Sequence, residues 1–420
     1  MRIVYERAAG LDVHLKTIQA CVDLPDSAGN KDRAQSEREF TTFTDALEEL
    51  ARWLADQHVQ VVAMEATGCY WKPIWYTLER HLPGVRLILV NPELVKRLPG
   101  RKTDRVDAAW LAELAACGLL RGSLVPDQHI RQLRNLTRYR RKLVKQRAAE
   151  TQRVLNVLED AGIKLGVVVS NILGVASRRM LAELIAGERD VEVLADLALG
   201  KMRAKIADLR RATTGHFTDH HAALLAAQLD HIDYLDALIT GIESQVDELM
   251  APFAETAAHL ITIPGFGKRV IEVVIAQTTG DMSHFPSEHH LASWACMCPG
   301  NNQSGGKRKS GKTRKGNPVL REALVEAAWA ATHTSTYHAA LYRRMLRHLG
   351  NNPTGRKQAA VAVGHSLLCA AYHVVKNGVD YHDLGADYFS RHHDPDREAA
   401  RLIKKIEKLT GKKVILDQTA

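Results

Sequence analysis

Residues 59–65 read VQVVAME, an apolar run that ends on an acid. A strand exposed on one face alternates apolar and polar residues, whereas a continuous run of this kind belongs to a strand covered on both faces. Such a strand needs helices around it, and its flanks supply them. DALEELARWLADQ, before it, is an amphipathic helix with Asp45 and Glu48 at capping-box spacing, and WKPIWYTLERHL, after it, is another. A second buried strand follows at residues 85–90, VRLILV, and then the helical stretch DRVDAAWLAELAACG, which ends by Gly122. Upstream, GLDVHLKTIQACVDL predicts two strands joined by a tight turn, and REFTTF, residues 38–43, predicts a third.

The resulting order is three strands, helix, strand, helix, strand, helix, the order of a ribonuclease H-like (RuvC-like) α/β domain. A chain of 420 residues is too long for one core. The formal charge of +9 and a pI near 9.2 favour a polyanionic partner. No run of eighteen apolar residues occurs, and the N-terminus MRIVYERAAGLDV lacks an apolar signal core, so a cytoplasmic protein is expected. Six scattered cysteines indicate reduced thiols, and Cys296 with Cys298 forms a C-x-C that lacks the second pair of a zinc framework.

From Asp127 to Glu159 one long helix is expected, with Leu133, Leu136, Leu143, Leu155 and Leu158 on an apolar seam. Between Arg131 and Arg153 it carries Arg131, Arg134, Arg138, Arg140, Arg141, Lys142, Lys145, Arg147 and Arg153 against the single acid Glu150. Pairing within the helix cannot use that excess, so phosphate contact is expected, above all at Arg131, Arg134, Arg138, Arg141 and Lys145. Helical patterns continue to residue 258, which together predict a long helical coiled-coil linker with a dimer seam. ITIPGFGKRVIEVVIAQTTGD then has the form of a helix-hairpin-helix, in which Gly265 and Gly267 bring backbone N–H groups, with Lys268, to a phosphate; a plain helix–helix turn is the competing explanation. No acid lies between Glu288 and Glu322, while Lys307, Arg308, Lys309, Lys312, Arg314 and Lys315 gather around a glycine-rich loop that is expected to grip nucleic acid. The architecture expected is α/β plus all-α: residues 1–122, a linker at 123–258, a helical domain at 259–380, and a polar tail at 381–420 with a short basic helix near residues 397–409.

In this fold Asp12 falls on the first strand, Glu65 at the carboxyl end of the fourth, and Asp104 and Asp107 at the start of the last helix. Singly they read as a strand edge, a loop start and a helix cap. Together they read as a site, because strand ends and a helix start converge in ribonuclease H-like domains. Four carboxylates repel one another unless cations neutralise them, and Mg²⁺ takes oxygen ligands. A pair of such ions about 4 Å apart clamps the attacking and leaving oxygens of a phosphodiester.

GLDVHLKT, VVAMEATGCYWKPIW, VNPELVKRLPGRKTDRVDAAWLAEL, LITIPGFG and SGGKRKSGKTRKGNPVLREAL together resemble the DEDD-type transposases of the insertion-sequence 110 family. The resemblance covers about residues 5–160 and 255–380. It implies a RuvC-like domain whose four acids match Asp12, Glu65, Asp104 and Asp107, and a C-terminal transposase domain with a catalytic serine. It also implies a homodimer or homotetramer with composite sites, guided to donor and target DNA by a bridge RNA. Ser304, within NNQSGGK, is the serine that the motif matches, with Ser310 as its rival. A protein nucleophile would conserve the phosphodiester energy that hydrolysis loses. The residues alone leave open a metal-dependent, structure-selective nuclease without a serine nucleophile, and a non-catalytic RNA-binding scaffold.

Overall fold

The buried runs of the N-terminal region form one sheet in the computed structural model of the protein, which describes residues 2–26, 33–91, 104–300, 302–310, 313, 316–391 and 395–414. Strands β1 (Ala8–Val13), β2 (Thr17–Pro25) and β3 (Arg33–Thr41) form an antiparallel meander. Helix α1 (Thr44–Asp56), β4 (Val61–Glu65), α2 (Trp71–His81), β5 (Arg86–Val90) and α3 (Asp104–Ala116) follow, in the order expected. The sheet order is β3-β2-β1-β4-β5, with β4 parallel to both β1 and β5. The first four residues of β4 are buried, as its apolar run requires, and all of β1 beside it is buried too. On one face Leu11, Ile18, Val62 and Met64 meet Leu50, Leu54, Ile74 and Leu78 of α1 and α2. On the other, Ala8, Val61, Ala63 and Ile88 meet Leu111, Ala115 and Ala116 of α3.

Two local expectations are corrected. Helix α1 starts at Thr44 with Phe43 as N-cap and no side-chain cap, so Asp45 lies inside the first turn and helps only as an anion near the helix dipole. Strand β3 begins five residues earlier than its apolar end suggested, because backbone pairing with β2 holds its polar, exposed length.

The chain divides into two compact units, Met1–Val125 and Pro126–Ala420. The regions expected at residues 123–258 and 259–380 both fall in the second unit, apart from residues 123–125. Within it α4 (Gln128–Asp160) starts from Asp127, whose side chain accepts from Ile130 N at 2.9 Å. Next come α5 (Leu165–Val168), α6 (Val175–Ala186), α7 (Val191–Asp196), a 3-10 turn (Gly200–Lys205), α8 (Ile206–Thr213) and α9 (Asp219–Met250). α4 and α9 lie side by side, and Leu158, Met180, Leu194, Leu209 and Leu225 make a small core with the short helices.

The chain continues through α10 (Ala254–Leu260), α11 (Lys268–Thr278), α12 (Glu288–Trp294), β6 (Asn302–Ser304), β7 (Lys307–Ser310) and α13 (Pro318–Ala331). It ends with α14 (Tyr337–Leu349), α15 (Pro353–Asn377), α16 (Tyr388–Arg391) and α17 (Pro395–Thr410). Among the described residues α15 alone is long and apolar enough to cross a membrane. It is instead the central helix against which α10, α12, α13 and α14 pack. Gly364 lets α13 come close, since a Cβ there would stand 3.2 Å from Leu324 O.

His338 of α14 is buried, with Nε2 3.4 Å from Ser366 Oγ and Nδ1 3.4 Å from Tyr381 OH. Burial pushes its pKa down from 6.5 to about 4, against the pull of Asp383. A depressed folded-state pKa means that the unfolded chain takes up a proton the folded one refuses. The stabilisation is therefore complete above the unfolded value and is lost as pH falls toward 4. We expect a loss on the order of 3 kcal/mol across that window, and His338→Gln should remove this share of the pH dependence in paired thermal-denaturation curves.

Candidate active site

β1 and β4 run parallel, with Ala8 beside Val61 and Leu11 beside Met64. The same offset carried one residue further sets Asp12 beside Glu65. Neighbouring strands lie about 4.8 Å apart, and residues abreast in a parallel pair point to one face. That face is the one α3 covers. A Cβ on Gly10 would stand 2.1 Å from Ala108 O and 2.5 Å from Ala112 N, so only glycine lets the helix backbone lie against the strand there. Ala8 meets the later turns of α3, through Leu111 and Ala115, and Gly10 meets the turn from Ala108 to Ala112. Ascending β1 thus means descending α3. Two strand residues rise about 6.6 Å and one helical turn about 5.4 Å, so the first turn of α3, with Asp104 and Asp107, belongs to the end of β1 that bears Asp12.

Asp12 is 8% exposed, whereas Glu65 and Asp107 are half-buried. His14, which the sequence reading did not single out, places Nε2 3.0 Å from Asp12 Oδ2. Its position two residues after Asp12, at the turn that follows β1, was the available signal. Asp104 opens α3, but its side chain lies outside the described residues. Among the described residues no three His, Cys, Asp or Glu side chains are grouped so as to hold a metal ion. The donor set nevertheless fits a hard cation in kind: carboxylate oxygens alone, two of them from strand residues set abreast, whose mutual repulsion a divalent ion would relieve.

The cations of α4 expected at a phosphate are largely engaged with partners inside the second unit. Arg131 donates to Pro126 O at 2.9 Å. Arg134 donates to Ala276 O and Gln277 O at 2.6 and 2.7 Å, satisfying carbonyls at the end of α11. Its burial, beside Arg138, pulls its pKa down to about 10. Arg138 donates to Gln277 Oε1 at 2.8 Å, Arg140 forms a buried pair with Glu272, and Arg141 and Lys145 share Glu322. The acids missing from α4 come from α9, α11 and α13, and counting charges along one helix cannot reveal them.

The turn at residues 261–267 is likewise built for packing. Gly265 has φ +86°, and a Cβ there would stand 2.2 Å from Ala327 O of α13. Gly267 is the N-cap of α11, and Lys268 pairs with Asp247 of α9 at 2.6 Å.

Ser304 closes β6, and the expected flexible loop is a two-residue hairpin. Gly305 and Gly306 have φ +56° and +72°, the pair of left-handed residues that a tight hairpin turn uses. Ser304 pairs with Lys307 beside the turn, and Ser310 pairs with Asn302 at the open end. Lys307 is exposed; the side chains of Arg308 and Lys309, and residues Lys312, Arg314 and Lys315 as a whole, lie outside the described residues. Past the hairpin, Asn317 caps α13 and donates to Gln277 Oε1 at 2.7 Å, joining the network that holds Arg138.

Residues 9–163 match a transposase family model, the DEDD transposase of IS110, and residues 257–343 match the model described as transposase, IS116/IS110/IS902 family. The putative transposase y4rJ of Sinorhizobium fredii is 23% identical over 321 residues, covering 70% of this chain and 72% of its own. The transposase for insertion sequence element IS1111A of Coxiella burnetii is 25% identical over 306 residues, 70% of each chain. The pilin gene-inverting protein of Moraxella lacunata is 30% identical over 152 residues, 35% of this chain and 46% of its own. A mixed α/β domain matching the DEDD model, with the ribonuclease H-like fold which that domain implies, followed by a mostly helical transposase region, defines an enzyme that processes DNA. The chain belongs to the IS110 family of transposases.

Proposed function

We propose that the chain is the recombinase of an insertion sequence, cutting and rejoining donor and target DNA through a covalent phosphoserine at Ser304, with Mg²⁺ held by Asp12, Glu65, Asp104 and Asp107. The observation that supports the proposal is the register of β1 on β4, with Leu11 beside Met64, which continued by one residue would bring Asp12 and Glu65 abreast on the face where α3 begins. Bound there, divalent cations would neutralise the carboxylates and the charge that develops on the phosphate. The chain's own residues do the rest. The Ser304 oxygen attacks phosphorus as its hydroxyl gives up its proton, an Oγ–P bond forms as a P–O bond to the strand breaks, and the departing strand oxygen takes up one proton in exchange. A later strand hydroxyl reverses the linkage, so no phosphodiester is lost to water. Lys307, Arg308 and Lys309 on the hairpin, with Lys312, Arg314 and Lys315 beyond it, provide the positive charge for the phosphate.

Guidance by a bridge RNA, assembly into a homodimer or homotetramer with composite sites, and action in the cytoplasm rest on the family resemblance. Similarity to a gene-inverting protein supports rejoining over cutting alone. The competing possibility is a metal-dependent nuclease in which water attacks and no serine takes part; the cluster of acids would serve it equally. Incubation with guide RNA and DNA, followed by denaturing electrophoresis, separates the two. A protein–DNA adduct should form with wild type and Ser310→Ala and vanish with Ser304→Ala. Nicked DNA without any adduct would leave the nuclease.

A further inference from the structure

We propose that His14 is a positioning residue for the Asp12 carboxylate, and that it gives the acid site its preference for small octahedral cations over larger ones. The inference rests on the four-acid site proposed above. His14 N donates to Thr17 O at 3.0 Å, closing the turn between β1 and β2 and fixing the backbone from which the ring projects. From there the Nε2–H donates to Asp12 Oδ2 at 3.0 Å. The Asp12 side chain is 12% exposed and that of His14 50%, so the contact joins a buried carboxylate to a half-exposed ring. A donor held in this way fixes the torsion of the carboxylate about its Cβ–Cγ bond.

The consequence differs between ions. Mg²⁺ and Mn²⁺ require near-octahedral ligands at short range, whereas Ca²⁺ accepts six to eight oxygens in flexible geometry. An Asp12 carboxylate released from His14 therefore costs the small ions more. If the contact served only to close the hairpin, its loss would lower stability and leave the ratio of ion affinities unchanged.

Calorimetric titration of the full chain with MnCl₂ and with CaCl₂ at one fixed pH tests this, using wild type, His14→Ala, His14→Gln and Asp12→Asn. The site is defined as the binding lost in Asp12→Asn. His14→Ala should weaken that Mn²⁺ binding about tenfold or more and the Ca²⁺ binding less than about threefold. His14→Gln, which keeps a donor, should regain most of the Mn²⁺ affinity. Equal losses for the two ions, or unchanged Mn²⁺ binding in His14→Ala, would overturn the role of His14 and leave the acid site standing. Mn²⁺ binding in Asp12→Asn equal to wild type would remove the acid site, and this proposal with it. If circular dichroism shows His14→Ala to be unfolded, His14→Gln against His14→Leu carries the same comparison.

Discussion

Asp12→Asn should cleave DNA at least about a thousandfold more slowly than wild type at equal concentrations of folded protein, which corresponds to roughly 4 kcal/mol of lost transition-state stabilisation. The substitution keeps the shape of the side chain and removes its charge. Asp12 lies on a fully buried strand, where a carboxylate persists only with compensating partners. The amide still accepts from His14, so the hairpin should hold and the melting temperature should stay within a few degrees of wild type. A large rate loss with little loss of stability marks the carboxylate as a ligand. If Asp12 were a strand-edge residue of no catalytic use, cleavage would survive. Single-turnover cleavage of labelled DNA, with a thermal melt beside it, measures both.

Gly10→Val should unfold the first unit or weaken it by more than about 3 kcal/mol, at the upper end of what overpacking costs. The added atoms would meet Ala108 O and Ala112 N, backbone atoms of α3 that can yield only if the helix leaves the sheet. Any protein that does fold should have lost cleavage too, because lifting α3 carries Asp104 and Asp107 away from Asp12. Gly241→Ala is the control. Gly241 is exposed on α9, a Cβ there would meet nothing within 4 Å, and the substitution should stabilise by about 0.5–1 kcal/mol. Urea unfolding measured on both variants distinguishes a local need for glycine from a general effect of adding a side chain.

The sheet was legible because β4 and β5 carry apolar runs that admit few other placements, and the order of elements followed from them and from the turn signal between β1 and β2. Gly10 was legible in principle: an isolated glycine inside a buried strand marks a close backbone approach. Tertiary partners were not legible. The cations of α4 looked surplus because Glu272, Glu322 and Asp236, the acids that pair with Arg140, Arg141 and Arg147, come from other helices. Strand β3 was partly hidden for a related reason, since its length is fixed by hydrogen bonds to β2 and its side chains are polar. The hairpin at Ser304 was missed because its strands lack alternating apolar residues, although a Gly-Gly pair between short segments is a recognised turn signal. Of the candidate site, the placement of Asp12 and Glu65 followed from strand order, whereas the Asp12–His14 contact needed coordinates.

The most direct measurement is anomalous diffraction from crystals of the full chain grown with MnCl₂. Density peaks bridging the carboxylates of Asp12, Glu65, Asp104 and Asp107, at about 2.0–2.3 Å from their oxygens, are the predicted result. Peaks elsewhere with none at Asp12, or those carboxylates too far apart to share an ion, would contradict the account.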